Sequence, residues 1–114
     1  MATDCIFCKI VSGEIPGKIL YQDKEVVAFP DIKPITPVHL LIVSRKHIPS
    51  LAQMADAETP LVGHMTKVAN QLAREQGIAE SGYRLTINSG ADSGQIVPHL
   101  HMHLMGGRAL RWSF

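Results

Sequence analysis

The sequence predicts one α+β domain, an antiparallel five-stranded sheet with one long helix and one or two short ones. Three observations predict it. Short β-rich runs follow one another in hairpin-like succession, only one stretch carries helical apolar spacing, and no linker, repeat or low-complexity tract divides residues 1–114. A chain of 114 residues has length for a single core and little to spare.

Cys5 to Val11 reads as a short helix or turn, closed by Ser12-Gly13 and followed by Pro16-Gly17. Lys18 to Gln22 and Glu25 to Phe29 form a hairpin around Asp23-Lys24. Pro30 to Pro37, with prolines at 30, 34 and 37, is a crossover that suits neither helix nor central strand. His39 to Val43 is apolar enough for a strand buried on both faces. Thr59-Pro60 opens the long helix, with Thr59 as N-cap and Pro60 at its first position. Leu61, Met65, Val68 and Leu72 recur at helical spacing, and Gly77 stops the run. His64 beside this stripe reads as an ordinary helix residue. Tyr83 to Asn88 is a further strand, and the small-residue loop Ser89 to Gly94 leads into the last one.

Composition excludes several functions. Charged residues are 18% of the chain and the formal net charge is +1, so no global field recruits nucleic acid or an anionic membrane. No apolar run reaches membrane-spanning length, and Met1 to Asp4 lacks a secretory start. The expected location is the cytoplasm, where Cys5 and Cys8 stay reduced and serve as ligands or reactive thiols rather than as a disulfide.

Chemistry concentrates near the C-terminus, where His99, His101 and His103 occupy alternate positions. On a strand they share one face, with Leu100, Met102 and Leu104 on the other. Against a plain solvated face stands the choice of three imidazoles, which titrate near neutrality. The preceding Gly-rich loop supplies backbone N–H groups, and Ser89 and Ser93 hydroxyls, that could cradle a phosphate. An imidazole beside a phosphate can attack phosphorus and form a covalent N–P bond, while its neighbours handle protons. Three ligands at this spacing span about 13 Å and reach one metal only with strain, and no carboxylate flanks them, so a catalytic metal ranks below nucleophilic attack. Cys5-x-x-Cys8 is a plausible zinc half-site, with partners among His39, His47 and His99. Unliganded buried thiols and a redox pair are the competing readings.

Together these stretches resemble the histidine triad (HIT) superfamily, and most closely its HINT-like branch of purine nucleoside phosphoramidases. The resemblance rests on Asp4 to Ile10, Glu14-Ile15-Pro16, Ala28 to Ile32, Pro37 to Val43, Lys46-His47-Ile48, Gly82-Tyr83-Arg84, Asn88, Gly94-Gln95 and His99 to Leu104. Gly106-Gly107-Arg108 and Trp112 favour that branch over the dinucleoside-polyphosphate hydrolases.

The resemblance implies a HIT-like fold, a homodimer whose two sheets join into one, and a purine nucleotide as substrate. It places Ile6, Phe7, Ile10, Phe29, Ile32 and Leu41 around the base and the Asp31 carboxylate on the ribose, where core packing and an Asx turn are the plainer roles. It makes His101 the nucleophile that attacks the α-phosphorus of a nucleoside 5′-phosphoramidate, with His103 on the phosphate and His39 and His99 completing the cluster. Asn88 and the stretch Gly94, Gln95, Ile96 and Val97 would hold the phosphate oxygens. A structural zinc would take Cys5, Cys8, His47 and His99, which conflicts with a proton-carrying role for His99. Ile96 stands where many members carry Ser or Thr, which removes a hydroxyl donor. The alternatives are dinucleoside-polyphosphate hydrolysis, or a nucleotide-binding interaction protein with vestigial catalysis.

Overall fold

The computed structural model describes residues 5–112. The N-terminal reading of Met1 to Asp4, and the tail residues Ser113 and Phe114, lie outside them. Five strands, β1 (Tyr21–Gln22), β2 (Val26–Pro30), β3 (Val38–Ser44), β4 (Tyr83–Thr86) and β5 (His101–Gly106), pair antiparallel in the order β1-β2-β3-β5-β4. Helix α1 (Ile6–Val11) and the long helix α2 (Thr59–Glu75) complete the fold, with short 3₁₀ turns before α2 and before β5. Among the described residues, no helix is long and apolar enough to cross a membrane.

Strand alternation gives the sheet two different faces. Val26, Ala28, Leu40, Ile42, Met102 and Leu104 point to the side covered by Met65, Val68, Ala69, Leu72 and Ala73 of α2. Val27, Phe29, Leu41 and Val43 point to the other, where α1 contributes Phe7 and Cys5 begins the helix. Because β3 lies between β2 and β5 and carries core on both faces, its apolar run needs no polar alternation. The smaller, α1-covered face is the one that receives His39, His101 and His103.

Four boundaries near the site differ from the sequence reading. Pairing holds β1 to two residues and ends β4 at Thr86, two short of Asn88. Thr59 is the first helical residue rather than the cap, because a 3₁₀ turn at Asp56–Glu58 runs straight into α2. The last strand begins at His101, so His99 precedes it. There the Leu100 N–H donates to Ile48 O at 2.7 Å and the His99 N–H turns back to Val97 O at 2.8 Å.

Asp23 holds the β1–β2 turn and also reaches α2. Its Oδ1 accepts from the N–H groups of Glu25 (2.7 Å) and Val26 (2.9 Å), and its Oδ2 from the Tyr21 hydroxyl (2.7 Å). His64 Nε2 lies 2.6 Å from the same Oδ2, which makes it a tertiary tie rather than a plain helix residue. The Gly106-Gly107 pair has a packing reason. A Cβ on Gly106 would sit 2.7 Å from the Ile78 side chain, and Gly107, at φ +95°, would meet Pro37 at 2.8 Å.

Candidate functional site

Antiparallel register builds the site. Val43 stands opposite His101, and Leu41 opposite His103, which faces Thr86 on its other flank. His39 is therefore the diagonal neighbour of His103 on the same face. Its Nε2 lies 2.9 Å from His103 Nδ1 and 3.4 Å from Asp31 Oδ2.

Backbone groups decide which nitrogen of each ring carries the proton. The Ile35 N–H donates to His39 Nδ1 at 3.2 Å, so the proton of a neutral His39 sits on Nε2 and points to His103 Nδ1. His103 is thereby left with its own proton on Nε2. His101 Nδ1 donates to the His99 carbonyl at 2.6 Å, which leaves the Nε2 lone pair of a neutral His101 available for attack. Burial, reinforced by the neighbouring His101 and His39, pushes His103 down to about 4. Burial also lowers His39, with Asp31 pulling the other way. Both are neutral near pH 7.

His99 leaves this group. Its fully buried ring turns to Cys5, Cys8 and His47, and the four ligand atoms lie within 4.8 Å of one another. His99 Nδ1 is 3.2 Å from Cys5 Sγ, 3.4 Å from Cys8 Sγ and 3.1 Å from His47 Nδ1, while Cys8 Sγ is 3.2 Å from His47 Nδ1. On the far side His99 Nε2 donates to Ser44 O at 2.6 Å, so Nδ1 presents a lone pair to the cluster. Two thiolates and two imidazoles with a carbonyl-oriented ring are the donor chemistry of a closed tetrahedral zinc site. Burial and the Cys5 thiol push Cys8 up to about 11, so metal capture at neutral pH must expel its proton.

Asp31, His39 and His103 also fall within 4.8 Å of one another; the sequence reading set the Asp31 carboxylate on the ribose and did not foresee its contact with the histidines. No carboxylate flanks the histidines in sequence, but the proline-rich crossover folds Asp31 beside them. The set does not suit a metal. With an N–H donated into His39 Nδ1, the ring proton occupies the nitrogen that would have to ligate. Asp31 Oδ1 also accepts from the Lys33 N–H at 2.8 Å, so the Asx turn is real and coexists with the histidine contact.

The remaining predicted residues divide by exposure. Phe7, Phe29 and Leu41 are buried in the small cluster, with Ile10 and Val97 packed against it. Ile6, Ile32 and Ile96 are 48%, 94% and 90% exposed, so core packing does not account for them. Gln95 pins the loop rather than reaching outward, donating to Pro49 O and Val97 O and accepting the Gly90 N–H. The serine hydroxyls are engaged within the protein as well, Ser93 donating to Gly90 O and Ser89 accepting the Ala52 N–H. Gly90 and Gly94 take positive φ at either end of this turn, and Asn88 lies half-buried just before it.

Comparison with known proteins agrees with this geometry. A family model described as "Scavenger mRNA decapping enzyme C-term binding" matches residues 4–110. The chain is 46% identical over 110 residues to a purine nucleoside phosphoramidase of Escherichia coli, covering 96% of this chain and 92% of that protein. A histidine triad protein from Clostridium difficile superposes with a TM-score of 0.95 at 44% identity, covering 98% and 97% of the two chains. A zinc-bound histidine triad family protein from Mycobacterium smegmatis has a TM-score of 0.81 at 30% identity, covering 95% of this chain and 78% of that one.

Proposed function

The chain belongs to the histidine triad superfamily, and on that premise we propose that it hydrolyses the P–N bond of purine nucleoside 5′-phosphoramidates through His101. One observation carries the reading: the His99 carbonyl holds His101 Nδ1–H at 2.6 Å and leaves Nε2 as a directed nucleophile. Nε2 attacks the α-phosphorus, an N–P bond forms, and the P–N bond to the amine breaks as the departing nitrogen takes up a proton. Water then attacks the nucleotidyl-histidine, releasing the nucleoside monophosphate and restoring the imidazole. The balance is one water added across P–N. His103, backed by His39, contacts the phosphate and assists departure of the amine.

Ile6, Phe7, Ile10, Phe29, Ile32 and Leu41 line the base side in this reading, and Asp31 takes the ribose hydroxyls. Asn88 and backbone from Gly94 through Gln95, Ile96 and Val97 hold the phosphate. The exposure of Ile6, Ile32 and Ile96 supports a ligand as their partner. Cys5, Cys8, His47 and His99 bind one structural zinc, supported by the donor set and by the zinc-bound relative. A reduced cysteine pair suits the cytoplasm. The edge strand β4 offers a second copy a sheet edge on which to build a homodimer.

The test is release of amine and AMP from adenosine 5′-phosphoramidate, with intact-mass detection of adenylylated protein. His101→Ala should lower turnover by at least about a thousandfold and abolish the adduct. Turnover that survives the substitution refutes the mechanism. Tight nucleotide binding without turnover in the wild type points instead to a binding module.

A further inference from the structure

The geometry points to a second task for the cysteine–histidine cluster. We infer that Cys5, Cys8, His47 and His99, together with Phe7, position the His101 ring for attack, an inference that rests on His101 being the nucleophile. Two physical routes run from the cluster to that ring. The first is the main chain of His99, whose side chain is fixed between the two sulfurs and the Ser44 carbonyl and whose own carbonyl holds His101 Nδ1–H. His99 sits in a turn ahead of β5, and its carbonyl is held from two sides, by the anchored ring and by the Leu100 N–H of the same peptide, which donates to the carbonyl of Ile48, the residue after His47.

The second route is Phe7, the buried residue of α1, between the two cysteines in sequence. Its ring meets His101 edge-on, with centroids 5.0 Å apart and planes at 84°, and meets His99 at 6.0 Å. Helix α1 has only six residues, too few to hold itself in water. Its first turn is tied down at Cys5, whose Sγ accepts the Cys8 N–H at 3.3 Å, and Cys8 in turn reaches His47 and His99. Undoing the cluster therefore loosens Phe7 and the His99 carbonyl together. With neither restraint, His101 rotates and populates the tautomer with its proton on Nε2, which has no lone pair to offer phosphorus.

The experiment compares wild type and Cys8→Ser, each with its zinc content measured. The readouts are kcat and KM for adenosine 5′-phosphoramidate and long-range ¹H–¹⁵N correlation spectra of the histidine rings without nucleotide. Wild-type turnover and its loss in His101→Ala come first; if they are missing, it is the catalytic reading that fails, and the ring spectra still test positioning. For Cys8→Ser the expected result is a kcat lower by about 10- to 100-fold, with any rise in KM reporting the looser α1 beside the base. His101 should also change from a pure Nδ1–H ring to a mixture of tautomers. Loss of zinc with unchanged kcat and an unchanged His101 spectrum overturns the proposal. If Cys8→Ser does not fold, zinc titrated into metal-free wild type carries the same test. The His101 signals should sharpen to the Nδ1–H form as the site fills, and signals that ignore the metal overturn the proposal.

Discussion

His99 and His39 are both buried imidazoles with a second histidine beside them, yet they are held in opposite ways. A carbonyl, Ser44 O, meets His99 on its far nitrogen, forcing the proton there and turning a lone pair toward two sulfurs. An amide, the Ile35 N–H, meets His39, forcing its proton the other way, toward His103. One ring presents a lone pair to the sulfurs and the other a proton to His103. The residue type fixes neither role; the backbone group behind the ring does.

The strongest way to break this comparison is to remove one ligand. His47→Ala should weaken zinc binding by at least about a hundredfold and lower the melting temperature by about 10 °C, checked by metal analysis and calorimetry. Its counterpart, His39→Gln, should keep full zinc and lose about 10- to 100-fold in kcat. Zinc loss in the second variant would mean that the two clusters are not separate.

Acid sharpens the contrast from the catalytic side. His103 is held at about 4 by burial and by His101 and His39, against an ordinary value near 6.5, with Asp31 pulling the other way. The folded state thus refuses a proton that the unfolded chain accepts between those values. Stability is complete above about pH 6.5 and falls as pH drops toward 4. Allowing for partial exposure, lowering pH from 7.5 to 5 should cost about 1 kcal/mol through this group, read from urea midpoints of wild type against His103→Gln. The smallest effect belongs to Ile96→Ser, which places a hydroxyl beside the glycine-containing loop that precedes β5. It should raise turnover about threefold to tenfold and leave zinc content alone. A rate that is unchanged or lower counts against a phosphate contact at this position.

Much of this was legible in the sequence because it depends on local pattern. The apolar run of β3, the stripe of α2 and the Asp23 turn follow from spacing and turn chemistry, and alternation put His101 and His103 on one face. Alternation also predicted His99 there and failed, because a strand's period ends where pairing ends, and Leu100 pairs with Ile48 in a loop instead. Asp31 beside His39 and His64 beside Asp23 were illegible for a different reason. Each depends on where a crossover or a helix lands in space, and His64 lies 41 residues from its carboxylate. The motif resemblance supplied what spacing could not, by naming Cys5, Cys8, His47 and His99 as one set, which the fold gathers within 4.8 Å.

Cys5 and His99 are separated by 94 residues. On the ribosome, at about 5–20 residues per second, the thiol is made roughly 5–20 s before its imidazole partner exists. β5, which carries His101, follows the other four strands in the chain, so a nascent chain assembles neither the cysteine–histidine cluster nor the His39–His103 pair before that strand is made. Synthesis itself therefore withholds both clusters until β5 has been made, and the long loop that the Cys5–His99 contact closes makes it a late event in refolding as well.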